Sequence, residues 1–131
     1  MKIAADTNVL VRAAVRDDPR QTEAAMRMMA RAEMVAIAVS CLCEFAWVLR
    51  SVYRCRAPEI AEAIRVLLAA ANVETNRQAA EAGLAMLDAG GDFADGVIAY
   101  EGRWLGAETF VSFDKKAIEA LAAQGMPVRL L

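Results

Sequence analysis

The feature that most constrains the fold is a regular alternation of short apolar segments with longer amphipathic ones. The apolar segments are predicted strands at Lys2–Ala5, Val35–Val39, Val73–Thr75, Glu108–Phe113 and Val128–Leu131. The first predicted helix is short and begins near Val9. The others cover Pro19–Ala32, Cys41–Arg54, Pro58–Ala71, Arg77–Asp88, Phe93–Trp104 and Lys115–Ala123. Because parallel strands need long crossover connections, usually helices, this alternation predicts an α/β sandwich around a mainly parallel sheet.

Length and composition predict one intracellular domain. The chain has 131 residues, of which 58% are hydrophobic, enough for a single compact core. No apolar stretch reaches membrane-spanning length, and Asp6 interrupts the N-terminus before a signal peptide could form, so we predict a cytoplasmic protein with no membrane contact. Cys41, Cys43 and Cys55 lack zinc or redox spacing and are predicted to be reduced, mostly buried thiols.

The absence of histidine limits the possible chemistry. Since the chain contains none, Ser-His-Asp and Cys-His hydrolases are excluded. Any hydrolysis must use carboxylates, lysines, tyrosines or a metal. The net charge of −2 argues weakly against a general nucleic-acid binder, although a site built from acids would account for it.

Two acids follow predicted strands. Asp6 comes after the first strand and Asp114 after Thr109–Phe113. Ligands of open α/β sheets bind at the carboxyl ends of the strands, which favours a functional role for both acids. The structural alternative is a helix cap, or for Asp114 an ion pair with a following lysine.

Three further acids lie on predicted helices. Glu44 is the only charged group between Ser40 and Arg50, and an ionised carboxylate among apolar side chains needs a partner, either a metal or an arginine. Asp92 and Asp95 are three residues apart at a helix start, where the helix dipole favours anions. Asp92 suits a capping role, and Asp95 is the better candidate ligand.

Taken together, the acids predict a metal site. Two strand-end acids and two helix-borne acids are expected to converge at one edge of the sheet. Carboxylate oxygens are the ligands that Mg²⁺ and Mn²⁺ prefer, and gathered carboxylates repel one another unless a cation lies between them.

Four motifs, in this order, resemble those of the PIN-domain family, specifically the VapC-type toxins of type II toxin–antitoxin systems. They are Asp6-Thr7-Asn8-Val9-Leu10, Ser40-x-x-x-Glu44, Asp92-Phe93-Ala94-Asp95-Gly96-Val97-Ile98-Ala99 and Ser112-Phe113-Asp114-Lys115-Lys116-Ala117. The resemblance covers essentially the whole chain. It implies a single PIN domain over residues 1–131, folded as a three-layer α/β/α sandwich around a mainly parallel central sheet.

The resemblance also implies roles for individual residues. The catalytic and metal-binding acids would be Asp6, Glu44, Asp95 and Asp114, supported by Thr7, Asn8 and Ser112, with Asp92 as a possible fifth acid. Gly96 departs from the family, in which alanine is more usual at this position, and is expected to cost helix stability.

The implied function is that of a Mg²⁺- or Mn²⁺-dependent endoribonuclease. It would cleave RNA, either tRNA or rRNA, and so inhibit translation. It would form a homodimer, be neutralised by a VapB-like antitoxin and reach operator DNA only through that antitoxin. One alternative is a catalytically silent PIN module that binds RNA or protein, which would be expected to lack one of the acids. A metal-dependent phosphatase or a receiver-like domain also uses clustered acids, but the acid spacing of a receiver is absent.

Overall fold

The computed structural model describes residues Met1–Leu131 and divides the chain into two compact units, Met1–Arg77 and Gln78–Leu131. The first unit contains β1 (Lys2–Ala4), α1 (Thr7–Ala14), α2 (Pro19–Arg31), β2 (Met34–Ala36), α3 (Val39–Ser51), α4 (Ala57–Ala69) and β3 (Val73–Glu74). The second contains α5 (Arg77–Asp88, from its second residue), α6 (Phe93–Trp104), β4 (Phe110–Ser112), α7 (Lys115–Ala123) and β5 (Val128–Leu130).

In the first unit, a three-stranded parallel sheet has the order β1-β2-β3. Ile3 pairs with Val35, and Val35 pairs with Val73 on the other side. The central strand is therefore the buried one, and the side chain of Val35 is fully inaccessible to solvent. Since the strands are parallel, their carboxyl ends lie at one edge of the sheet, and the chain passes from β1 into α1 at that edge through Asp6.

In the second unit, β4 and β5 pair in parallel, with Phe110 opposite Val128. Both side chains pack against a small core that α5, α6 and α7 contribute. Its buried members are Met86, Ala99, Ala117, Ala120 and Leu121. Three of the five are alanine, whose small side chain allows the helices of this unit to pack at short distances from one another.

Every predicted helix and strand is present, and the mixed α/β class with parallel strands is confirmed. The strands are hydrogen-bonded as a set of three in the first unit and a set of two in the second, rather than as a single ladder. None of the helices combines the length and the apolar character that a membrane crossing needs.

Three predicted helix starts were wrong, that of α4 by a single residue, since it begins at Ala57 rather than Pro58. α1 begins at Thr7 rather than Val9, because the Asp6 side chain accepts a hydrogen bond from the Thr7 backbone N–H. α3 begins at Val39 rather than Cys41. The cap position is occupied by Ala38, which forms no side-chain cap hydrogen bond.

Candidate active site

Asp6 is both a helix cap and an available ligand. Its Oδ1 accepts a hydrogen bond from the Thr7 backbone N–H at 2.7 Å, which confirms the capping alternative. The residue is exposed, and its other oxygen, Oδ2, has no protein partner. Capping therefore holds the carboxylate in a fixed orientation and leaves one oxygen free to bind a cation.

Thr7 connects Asp6 to Glu44. In addition to its backbone bond to Asp6, Thr7 donates its hydroxyl hydrogen to Glu44 Oε2 at 3.0 Å. Thr7 is one of only two buried polar or charged residues of the chain, with 8% of its surface exposed. A buried hydroxyl is held rigidly by its surroundings, so both carboxylates are oriented by one fixed residue.

The sequence-based argument for Glu44 was wrong in one respect. Glu44 is exposed, since α3 turns Leu42, Phe45 and Leu49 into the core and Glu44 away from it. No burial cost therefore calls for a metal or an arginine at Glu44. The hydrogen bond from Thr7 now supports its assignment to the site.

Cys41 is a supporting residue that sequence reasoning assigned only to the core. It is buried, as predicted, but its Sγ lies 3.3 Å from Thr7 Oγ1 and donates to the Ala5 carbonyl at 3.6 Å. Its spacing from Glu44, three residues along α3, puts the two side chains on neighbouring positions of one helix face and was the available signal.

The thiol also reports the charge around Asp6 and Glu44. Burial raises the pKa of Cys41 most strongly, and the hydrogen bond with Thr7 opposes that effect. The negative charges of Asp6 and Glu44 each raise the pKa of Cys41 further. Both carboxylates therefore lie close enough to the Cys41 thiol for their charges to act on it.

In the second unit, Asp114 caps α7. Its Oδ1 accepts hydrogen bonds from the backbone N–H groups of Lys116 at 3.0 Å and Ala117 at 3.1 Å. Ser112 supports this turn, because its Oγ accepts from the Asp114 backbone N–H at 2.9 Å. The ion-pair alternative was wrong, since Lys115 faces Glu119 at 4.0 Å instead.

Asp95 and Asp114 interact electrostatically. Asp95 lies in the first turn of α6 and is half-buried. Burial raises the pKa of Asp95, and the negative charge of Asp114 raises it further. A divalent cation beside the two carboxylates would remove the repulsion between them.

The structure gives less support to the predicted site roles of Asp92 and Asn8. Asp92 occupies the cap position of α6 but forms no side-chain cap hydrogen bond, so the predicted capping bond is absent. Asn8 is exposed on α1, and its side chain forms no hydrogen bond with Asp6 or Glu44.

Helix packing explains the glycine at position 96, which the sequence did not indicate. A Cβ at this position would lie 2.4 Å from the Ala82 carbonyl oxygen and 2.8 Å from Met86 Cβ. Only glycine lets α6 approach α5 this closely. The expectation that Gly96 simply costs helix stability was therefore incomplete.

The carboxylates thus come in pairs, Asp6 with Glu44 and Asp95 with Asp114. Within each unit, no group of three or more His, Cys, Asp or Glu side chains gathers as a metal-binding cluster. Each pair offers hard carboxylate oxygens, the donor type that suits Mg²⁺ or Mn²⁺, and each is held by backbone or hydroxyl donors.

Comparison with known families decides the classification of the fold. The family model for the PIN domain matches residues 3–123. The chain belongs to the PIN-domain family. The matched range spans both acidic pairs. The predicted PIN-domain family is confirmed, and membership of the family supports a nuclease activity in general terms.

Two further comparisons accompany the PIN-domain match. A solved structure of VapC20 from Mycobacterium tuberculosis, described as a sarcin-ricin loop cleaving toxin, is similar to this PIN domain with a TM-score of 0.45 and 20% sequence identity. The similarity covers 95% of this chain and 96% of that chain. Because the TM-score is below 0.5, the classification rests on the family model alone. A search of curated proteins finds no match.

Proposed function

We propose that this PIN domain is a Mg²⁺- or Mn²⁺-dependent endoribonuclease of the VapC toxin type. Its metal-binding and catalytic acids would be Asp6 and Glu44 in the first unit and Asp95 and Asp114 in the second. The observation that carries the proposal is the bridge through Thr7, which links two exposed carboxylates from positions 38 residues apart in the sequence. Thr7 thus holds one carboxylate through its backbone N–H and the other through its hydroxyl, which favours a site over a purely structural role for this residue.

The residues of the chain have distinct tasks in this proposal. A bound divalent ion would supply the Lewis acidity that activates water and stabilises the leaving oxygen of a phosphodiester. Thr7 keeps Glu44 in one orientation, and the helix cap does the same for Asp6. Without histidine in the chain, acid–base work falls to carboxylates and water.

Asp95 makes metal binding pH-dependent. Since its pKa is raised, a proton competes for Asp95 at higher pH than it does for an ordinary aspartate. A carboxylate must be deprotonated to bind a metal, so metal affinity should fall as the pH is lowered.

The substrate and partners follow from the motif resemblance. We propose that the substrate is RNA, either tRNA or rRNA, and that its cleavage inhibits translation. A VapB-like antitoxin would neutralise the enzyme, a homodimer would be its active assembly, and operator DNA would be bound through the antitoxin alone.

The test is cleavage of total cellular RNA by purified, antitoxin-free protein with Mg²⁺, with Mn²⁺ and with EDTA. The variant Asp6→Asn should lose cleavage, because asparagine caps α1 about as well as aspartate but is a poor ligand for a divalent ion. Asp18→Asn is the matched control. Asp18 also caps a helix, α2, through its side chain, and this variant should cleave like the unmodified protein.

Cleavage that persists in EDTA, or in Asp6→Asn, would contradict the metal-site assignment. A folded, metal-loaded protein that cleaves no cellular RNA would instead favour the catalytically silent PIN module. A chromogenic phosphate ester, assayed in the same buffers, separates a phosphatase from both.

A further inference from the structure

The second unit contains a cavity that extends along α6 from Gly96, the residue after Asp95, to Trp104. Its volume is about 500 Å³, within the usual range for a small-ligand site. The last two turns of α6 contribute Tyr100, Arg103 and Trp104 to the lining, and Leu121, Gln124 and Met126 close the other side. The walls are thus aromatic and apolar, with one guanidinium and one amide.

Trp104 is unusual in being both exposed and fixed. About 74% of its surface is exposed. Its indole Nε1 nevertheless donates to the Tyr100 hydroxyl at 2.5 Å, and that hydroxyl donates to Gln78 Oε1 at 2.6 Å. Trp47, the other tryptophan, is 64% exposed and makes no such hydrogen bond. The Trp104 ring is therefore a pre-organised aromatic surface, which lowers the entropy cost of stacking on it.

Arg103 adds an uncompensated positive charge. It is exposed, lines the same cavity and forms no ion pair with a carboxylate. An apolar protein segment seated in the cavity would remove water from this guanidinium without neutralising it, which is costly. A phosphate would neutralise the guanidinium and can accept hydrogen bonds from two of its N–H groups at once.

We propose that this cavity is a subsite for one nucleotide of single-stranded RNA. The base stacks on Trp104 with Tyr100 as the second aromatic wall, and the phosphate binds Arg103. Aromatic faces combined with a cation are the elements by which proteins hold unpaired bases. This inference rests on the proposed function in one respect, namely that RNA is taken to be the substrate.

The position of the subsite fits such a substrate. Asp95 lies in the first turn of α6 and Arg103 in its last turn. Eight residues of helix correspond to about 12 Å along the axis. The subsite would therefore hold a nucleotide near, but not at, the bond that is cleaved, and it would contribute to substrate affinity and sequence preference.

The test uses the full-length variant Trp47→Phe, in which Trp104 is the only tryptophan. The probe is a 2′-O-methyl oligoadenylate hexamer, titrated in EDTA at low salt so that no cleavage occurs. Stacking should quench the Trp104 fluorescence and protect it from acrylamide. Variants of Trp104 lack this fluorophore, so their binding is measured by the anisotropy of a dye-labelled hexamer. Trp104→Ala should weaken binding by about 5- to 150-fold, and Trp104→Phe, which keeps a ring, by much less.

Arg103→Gln tests the phosphate contact separately. Loss of one such contact should make the slope of log affinity against log salt shallower by about 0.7. Trp47→Ala is the matched control, because it removes an exposed tryptophan from the other unit, and it should bind like the unmodified protein.

The outcomes separate this inference from the proposed function. Loss of oligonucleotide binding in Trp104→Ala supports the subsite even if the protein cleaves no RNA. Unchanged binding and unchanged KM for cleavage in both Trp104→Ala and Arg103→Gln would overturn the subsite while leaving the nuclease intact. Loss of antitoxin capture in Trp104→Ala, with RNA binding unaffected, would overturn it in favour of a protein-docking site.

Discussion

Replacing Thr7 by valine removes one hydroxyl from the candidate site and little else. Valine has nearly the shape of threonine, and the backbone N–H of residue 7 can still donate to Asp6. The substitution removes the bond from Thr7 Oγ1 to Glu44 Oε2, 3.0 Å long, and the contact of the same hydroxyl with Cys41 Sγ at 3.3 Å. Glu44 remains on α3 but is free to adopt other rotamers.

The expected cost to stability is small. A hydrogen bond to a charged group contributes about 1.5–3 kcal/mol when both partners are removed from water. Glu44 is exposed and recovers hydration when the bond is lost, and the valine methyl is buried where the hydroxyl was. We therefore expect Thr7→Val to lose at most about 1 kcal/mol of unfolding free energy.

The expected cost to activity is larger. Residues that orient metal ligands typically contribute about 10- to 100-fold to metal affinity or activity. Thr7→Val should accordingly need about 10-fold more Mg²⁺ or Mn²⁺ for half-maximal RNA cleavage. The assay is a metal titration of cleavage, accompanied by urea unfolding of the same protein.

Thr7→Ser is the matched control, and its pattern should be the reverse. Serine keeps the hydroxyl but deletes a buried methyl group, which costs about 1 kcal/mol of stability. Its metal requirement should stay near that of the unmodified protein. If Thr7→Val cleaves RNA with an unchanged metal requirement, the hydroxyl does not position Glu44, and the reasoning is refuted.

Three further predictions concern the second unit. Because the pKa of Asp95 is raised in the folded chain, ionising this carboxyl lowers the unfolding free energy. This loss of stability is absent at pH values below the ordinary aspartate pKa and complete above the raised pKa. Asp95→Asn should therefore raise the Tm of metal-free protein at neutral pH but not in acid, and a stabilisation that is the same at both pH values would contradict this. Asp114→Ala should lose about 0.5–2 kcal/mol through the missing cap of α7 and Asp114→Asn much less, as measured by urea unfolding, while both lose cleavage. Gly96→Ala should destabilise by about 1–3 kcal/mol, because its Cβ would meet the Ala82 carbonyl, whereas helix propensity alone predicts a gain of about 1 kcal/mol.

Much of the fold could be predicted from local sequence signals. α5, α6 and α7 have the predicted ends, because each is bounded by a cap or by glycine. The start of α3 could not be predicted, since Ser40 is a good cap residue but the helix begins before it. Tertiary contacts of its buried face outweigh one capping hydrogen bond.

For the candidate site, the sequence predicted which acids would form it but misjudged their surroundings. Glu44 looked buried because its neighbours along the chain are apolar, yet only the rotation of α3 about its axis decides which of them face the core. Gly96 looked unfavourable for the helix, yet the packing of α5 against α6 requires a residue without a Cβ at this position. Neither the rotation of α3 nor the distance between α5 and α6 can be read from a local sequence pattern.

By itself, then, the sequence determined the order of helices and strands, the PIN-domain motifs and the exclusion of histidine chemistry from any site of this chain. These depend on residue type and spacing, which are local properties. The tertiary structure decided that Thr7 joins Asp6 to Glu44, that Asp95 is half-buried beside the charge of Asp114, and that Trp104 is fixed at a cavity edge. Such contacts depend on packing between segments that are distant in the sequence, and many different packings are compatible with the same local pattern.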